Sequence, residues 1–199
     1  MNIVIIKYNA GNIESVKNAL NRLNVKAEIT ADTVKIRNAD KVIFPGVGEA
    51  STTMEYLREN NLDSLITSLK QPVLGICLGL QLMCSHSEEN DTKCLGIFDE
   101  KVLRFVPKPG EEFITKVPHM GWNVITNLKS RIFSEEIESQ YVYFVHSYYA
   151  GLGEHTIATC NYIAPFSAAL QKNNFYATQF HPEKSGTIGA QILKNFINL

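Results

Sequence analysis

The chain has 199 residues, 45% hydrophobic and 20% charged, which is enough to bury one substantial core and too few for two comfortable ones. One domain spanning residues 1–199 is expected. Nineteen Lys and Arg against twenty Asp and Glu leave a formal net charge of −1, so no global field selects nucleic acid or an anionic membrane. The apolar run at the amino terminus is too short for a signal peptide. No stretch approaches the roughly 20 apolar residues that span a bilayer, and a soluble, cytoplasmic protein is expected. The cysteines Cys77, Cys84, Cys94 and Cys160 include no CxxC pair and have no histidine at zinc-ligand spacing. No metal and no cofactor are expected. In a reducing compartment each thiol is by default an inert buried residue.

Ile3 to Ile6 is a β-branched run suited to a strand buried on both faces, followed by turn residues at Asn9-Ala10-Gly11-Asn12. Ile13, Val16, Ala19, Leu20 and Leu23 recur at three- and four-residue spacing, which predicts a helix over about residues 12–23. Val25 to Ile29 and Lys41 to Phe44 read as strands, the second stopped by Pro45-Gly46-Val47-Gly48. Met54 and Leu57, then Leu62, Leu65, Ile66 and Leu69, return to helical spacing before a fourth strand at Pro72 to Ile76. The order strand, helix, strand, strand, helix, strand predicts an α/β fold with an open, mostly parallel central sheet. Ligands of such sheets bind beyond the carboxyl ends of the strands.

After about residue 95 the segments Val102–Val106, Tyr141–Val145, Thr156–Cys160, Ser167–Leu170 and Phe175–Thr178 predict added antiparallel strands. Pro107 to Glu112 reads as a surface loop. Ile188, Ile192, Leu193 and Phe196 predict a closing amphipathic helix.

The fourth strand runs into Gly75-Ile76-Cys77-Leu78-Gly79, and Leu80-Gln81-Leu82-Met83 continues as helix. This strand, sharp turn and helix is the elbow that presents a nucleophile, with glycines where the chain doubles back. A helix start also favours a thiolate. A thiol attacking an amide needs a proton carrier. His181 in Gln179-Phe180-His181-Pro182-Glu183 follows a predicted strand, and Pro182 holds it extended. Residues at i and i+2 of an extended segment share a side, so Glu183 accepts from one imidazole nitrogen while the other faces Cys77. Oxyanion donors are expected at the Leu78 N–H and in the Gly46-Val47-Gly48 turn. Alone, each motif has a plain reading: Cys77 as a small core residue, His-Pro-Glu as a surface turn, Pro-Gly as a tight turn. Their combination favours a catalytic triad.

Pro45-Gly46-Val47-Gly48, Gly75 to Gln81 and His181-Pro182-Glu183 resemble the class I, or triad, glutamine amidotransferases, which are flavodoxin-like. Lys116 to Asn123 and Phe144 to Tyr149 are further similar to the glutaminase subunits of imidazole glycerol phosphate synthases of histidine biosynthesis. The resemblance implies that glutamine is hydrolysed through a Cys77 thioester. It implies a heterodimer whose (β/α)8-barrel cyclase subunit takes the ammonia to form imidazole glycerol phosphate and an aminoimidazole-carboxamide ribotide. It also implies that Gln81, His146, Ser147 and Tyr148 help hold glutamine, that Gly11, Asn12, Trp122 and Lys184 lie toward the partner, and that the isolated chain is a poor glutaminase. Lys7-Tyr8-Asn9-Ala10-Gly11-Asn12 departs from the family's Asp-Tyr-Gly-x-Gly-Asn, which weakens any transfer of a role to Lys7 or Asn9. Two rival readings stay open: a triad amidotransferase with another acceptor, and a non-catalytic binding module on the same sheet.

Overall fold

The computed structural model describes residues 1–8, 12–110 and 115–199. In chain order the first half holds β1 (Ile3–Ile6), α1 (Ile13–Arg22), β2 (Ala27–Thr30), α2 (Thr33–Arg37), β3 (Lys41–Gly46), α3 (Ala50–Glu59), α4 (Leu62–Ser68), β4 (Val73–Cys77) and α5 (Leu78–Met83). The second half holds β5 (His86–Ser87), β6 (Thr92–Lys93), β7 (Lys101–Arg104), β8 (His119–Val124), β9 (Tyr141–His146) and β10 (Tyr148–Ala150). It ends with β11 (Thr156–Asn161), β12 (Pro165–Lys172), β13 (Phe175–Thr178) and α6 (Gly186–Ile197).

A seven-stranded sheet runs in the order β11-β12-β13-β4-β3-β1-β2. From β13 to β2 every pairing is parallel, and β11, β12 and β13 pair antiparallel. The expected α/β architecture is therefore present, with two differences. Phe175–Thr178 sits parallel beside β4 instead of only extending the antiparallel edge. Tyr141–Val145 and Val102–Val106 leave the main sheet: β9 pairs with β8 as a ribbon, and β7 joins a small sheet ordered β10-β7-β5-β6. Strand β7 stops at Arg104, and Val106 is exposed.

Strand alternation sorts the apolar side chains. Ile3, Ile5, Ile43, Leu74 and Ile76 face a cluster shared with Val16 and Leu20 of α1 and with Leu193 and Phe196 of α6. Val4, Ile6, Val42, Phe44 and Val73 face the opposite cluster, built with α3, α4 and α5. Burial on both faces is why these strands read as continuous apolar runs. Helix α2, too short for a periodic signal, is set by its cap: Asp32 Oδ1 accepts from Val34 N and Lys35 N. Lys108, Pro109 and Gly110 of the expected surface loop are exposed, whereas Glu111 and Glu112 lie outside the described residues. Among the described residues no helix is long and apolar enough to cross a membrane.

Candidate active site

Parallel register gathers the site. Gly46 of β3 lies opposite Cys77 of β4, and Thr178 of β13 lies opposite Ile76. The segments that follow, Val47-Gly48, Leu78 and Gln179 to Glu183, therefore emerge together at one carboxyl edge.

Cys77 ends β4 and precedes α5 with φ 54 and ψ −109, a conformation costly for a residue with a Cβ. The chain can reverse there because Gly79 packs onto β3: a Cβ at Gly79 would run into the Phe44 carbonyl oxygen. Behind the turn, a Cβ at Gly46 would stand 2.7 Å from the Tyr8 hydroxyl and 2.8 Å from Leu78 Cβ. The Cys77 sulfur is 3.9 Å from the Val145 carbonyl oxygen and 3.8 Å from Gln179 Nε2. As the first residue of α5, Leu78 has an N–H with no intrahelical acceptor.

His181 is fixed by β9: its N–H donates to Tyr143 O at 2.9 Å, and its carbonyl accepts from Ser185 Oγ at 2.6 Å. Its Nδ1 lies 2.7 Å from Glu183 Oε1. The two groups meet through a 3₁₀ turn, Pro182–Lys184, instead of the expected extended alternation. The fixed φ of Pro182 suits the first position of such a turn. His181 remains extended, and both side chains are buried. Burial opposes charge on the imidazole, but the Cys77 sulfur and the Glu183 carboxylate beside it prevail and push His181 up to about 10. Nδ1 is engaged by the carboxylate, so Nε2 is the nitrogen left for the sulfur.

A cavity of about 400 Å³ opens above Cys77, with Val47, Gly48 and Leu78 on one side and Ser147 and Tyr148 on the other. Gly46 lies beneath it and does not line it. Gln81 lines the cavity, and its Nε2 donates to Tyr148 O at 2.8 Å and to Gln179 Oε1 at 3.1 Å. His146 also lines it, but both ring nitrogens are taken. Nδ1 lies 2.7 Å from Tyr148 O and Nε2 lies 3.0 Å from His119 Nδ1. Burial pulls His146 down to about 3 and His119 down to about 4. Glu89 adds a carboxylate to the wall, with Oε2 accepting from Ala50 N at 2.8 Å; burial raises its pKa.

Of the residues expected toward a partner, Trp122 is exposed on β8, its ring 6.0 Å from that of Tyr143, and Lys184 is exposed beside the His181 turn. Asn12 instead turns its amide onto Glu183. Gly11 lies outside the described residues, as do Asn9 and Ala10. Sequence reasoning missed Gln179, Glu89, His119 and Asn123. Gln179 stood inside the quoted His-Pro-Glu stretch without a role. Glu89 carries no local signal.

A strained cysteine elbow beside a buried His–Glu pair on an open parallel sheet defines a class of enzyme, and the chain matches the family described as Glutamine amidotransferase class-I over residues 4–199. It belongs to that family and is a glutamine amidotransferase. A Bacteroides fragilis protein named imidazole glycerol phosphate synthase subunit HisH is 60% identical over 199 residues, covering 100% of both chains. The Escherichia coli protein of the same name is 45% identical over 201 positions, again covering 100% of both. A solved structure described as a glutamine amidotransferase matches with a TM-score of 0.74 at 18% identity, covering 98% of this chain and 97% of that one, a likeness of fold.

Proposed function

We propose that this chain is the glutaminase subunit of an imidazole glycerol phosphate synthase in histidine biosynthesis, with residues 1–199 acting as one domain. The observation that carries the chemistry is the convergence of Cys77, which lines the cavity, with the buried His181–Glu183 pair beside its sulfur. The reading of the acceptor pathway is supported by the full-length likeness to proteins of that name.

Glutamine lies in the cavity with its side-chain amide over Cys77. Gln81 and the Ser147-Tyr148 backbone meet its polar groups, and Glu89 meets its ammonium. With the Cys77 proton already resting on His181, the thiolate attacks the amide carbon, and the oxyanion receives the Leu78 N–H and a donor from Val47-Gly48. The C–N bond then breaks, His181 returns the proton to the leaving nitrogen, and ammonia departs from a Cys77 thioester. Water, deprotonated by His181, opens the thioester to glutamate and restores the thiol. Glu183 keeps Nδ1 protonated and Nε2 aimed at the reacting atoms.

Ammonia passes to a (β/α)8-barrel cyclase subunit. Met120, Trp122 and Tyr141 are all exposed on the β8–β9 ribbon, and an apolar face of this kind suits a docked subunit. The test is ammonia release from glutamine by the chain and its Cys77→Ala variant, each alone and with the cognate cyclase subunit plus acceptor nucleotide. Cys77-dependent release that rises with that subunit is expected. Release without coupling would redirect the acceptor pathway, and equal release by Cys77→Ala would overturn the catalytic reading.

A further inference from the structure

Helix α1 grips the residue that orients the base. Asn12 immediately precedes α1 with φ 72 and ψ −2. An asparagine before a helix ordinarily turns its side chain onto the first free N–H groups, but Asn12 makes no such cap. Its Nδ2 donates instead to Glu183 Oε1 at 2.5 Å and lies 3.4 Å from His181 Nδ1. From the last turn of the same helix, Arg22 Nη2 donates to the main-chain carbonyl of Glu183 at 3.3 Å. One element thus holds this residue by both its carboxylate and its backbone.

The geometry has a chemical consequence. Glu183 Oε1 is the oxygen that faces His181 Nδ1, while Oε2 has no hydrogen-bond partner among the described residues. A carboxylate tied only to the imidazole could rotate and carry the ring with it. A second donor on the same oxygen fixes the carboxylate plane and stabilises its ionised form, as shells of supporting hydrogen bonds do for other reactive groups. A helix cap has been given up to supply that donor.

We propose that Asn12 is a positioning residue for the Glu183 carboxylate, with Arg22 bracing the main chain of Glu183, so that α1 acts as a splint for the catalytic base. The proposal rests on the Cys77–His181–Glu183 reading above. Asn12 touches neither the reacting atoms nor the cavity; it acts through Glu183.

Glycine at position 12 accepts φ 72 without steric cost, so Asn12→Gly removes the donor and keeps the backbone. Aspartate keeps the shape and replaces the donor by a second carboxylate. The charged and titratable groups facing position 12 are Glu183 and His181, with Arg22 at the Glu183 backbone and Cys77 beyond the imidazole. Two facing carboxylates share a proton more readily as pH falls, and that proton restores a donor.

The experiment measures kcat, KM for glutamine, the pH dependence of kcat and the thermal midpoint. It uses the chain assembled with its synthase subunit, as wild type, Asn12→Gly, Asn12→Asp, Arg22→Gln and Cys77→Ala. For Asn12→Gly, kcat should fall about tenfold, with KM and the midpoint close to wild type. For Asn12→Asp, kcat relative to wild type should rise as pH falls, and Arg22→Gln should lose about two- to threefold. A wild-type kcat in folded Asn12→Gly would overturn the proposal, and so would a pH-independent ratio for Asn12→Asp. If Asn12→Gly fails to fold, the Asn12→Asp ratio decides alone. Cys77→Ala separates the two levels. An active Cys77→Ala sinks the catalytic reading, while an inactive one beside an unimpaired Asn12→Gly sinks only the splint.

Discussion

His181 and His146 are both buried near Cys77, at 0% and 6% exposure, yet they are driven in opposite directions. For His146, burial and the neighbouring His119 and His181 outweigh the Tyr148 carbonyl, which favours the charged ring, and pull it down to about 3. His181 meets the same penalty of burial, but a carboxylate and a sulfur face it, and it is pushed up to about 10. Depth alone does not make a histidine functional. The sign of what faces it decides whether it carries a proton or holds a wall in place.

The sharpest break of this comparison is His181→Gln, which removes the proposed proton carrier and leaves the wall. Turnover should fall by about 10²–10⁴, with glutamine binding by KM or by protection from a glutamine-like electrophile largely kept. A loss of less than tenfold would move the base elsewhere. Glu183→Gln keeps the hydrogen-bond geometry and deletes the charge that raises His181. Turnover should fall about 10²-fold, and the alkaline limb of the kcat/KM profile should move to lower pH, because a supporter of the imidazolium is gone. An unmoved limb would show that the carboxylate does not set the basicity of His181.

The two histidines also differ in how far the sequence exposed them. His181 was legible because its signals are local: a strand, a proline and a carboxylate two residues on. The same holds for Cys77, whose glycines are demanded by a turn only a few residues long. The His119–His146 pair was not legible. Its ring contact joins residues 27 apart on two strands of a ribbon, and nothing local fixes that pairing. Gln81 meets Tyr148 and Gln179 across 67 and 98 residues. Even the His181–Glu183 contact was expected through strand alternation and is made by a 3₁₀ turn. Asn12 was expected toward a partner, and its amide bond to Glu183, 171 residues away, had no local signal. Periodicity reports which face of an element is buried, while the partner of a polar side chain depends on register between distant segments.

His146→Phe tests the other side of the comparison. Phenylalanine keeps the ring among Phe105 and Phe166 but deletes both nitrogen contacts and loosens the Tyr148 carbonyl that Gln81 also uses. KM for glutamine should rise roughly tenfold, about 1.4 kcal/mol, with kcat within about threefold. A large loss in kcat would make His146 a proton carrier after all. Stability adds a second readout. His146, held at about 3, contributes stability that is present above its ordinary value of 6.5 and lost as pH falls toward the folded value. His181, held at about 10, contributes stability that is present below 6.5 and lost as pH rises through about 10. The stability gap between wild type and His146→Phe should therefore shrink on the acid side. The gap for Glu183→Gln should shrink on the alkaline side. Thermal midpoints against pH check both.

The smallest expected effect on turnover belongs to Asn123, yet it bears most directly on what sets the histidines apart. The Tyr148 carbonyl can only accept, so His146 Nδ1 carries a proton and Nε2 accepts from His119 Nδ1. His119 Nε2 must then accept, and Asn123 Nδ2 is its donor at 3.3 Å. The amide orientation is fixed independently, by Nδ2 donating to Asn161 O and Oδ1 accepting from Val124 N. Asn123→Ala should leave both tautomers unchanged and cost about 1 kcal/mol of stability, a fall of about 2–4 °C in the thermal midpoint. Asn123→Asp places a carboxylate where His119 offers a lone pair, and so recreates beside His119 the partner that His181 has in Glu183. The ring should gain a proton, with turnover changed by no more than about threefold, and ¹⁵N spectra of the imidazoles should show His119 doubly protonated near neutral pH. A His119 that stays neutral in Asn123→Asp would mean that depth outweighs partner sign in this wall. The contrast between the two histidines would then rest on the Cys77 sulfur more than on the carboxylate.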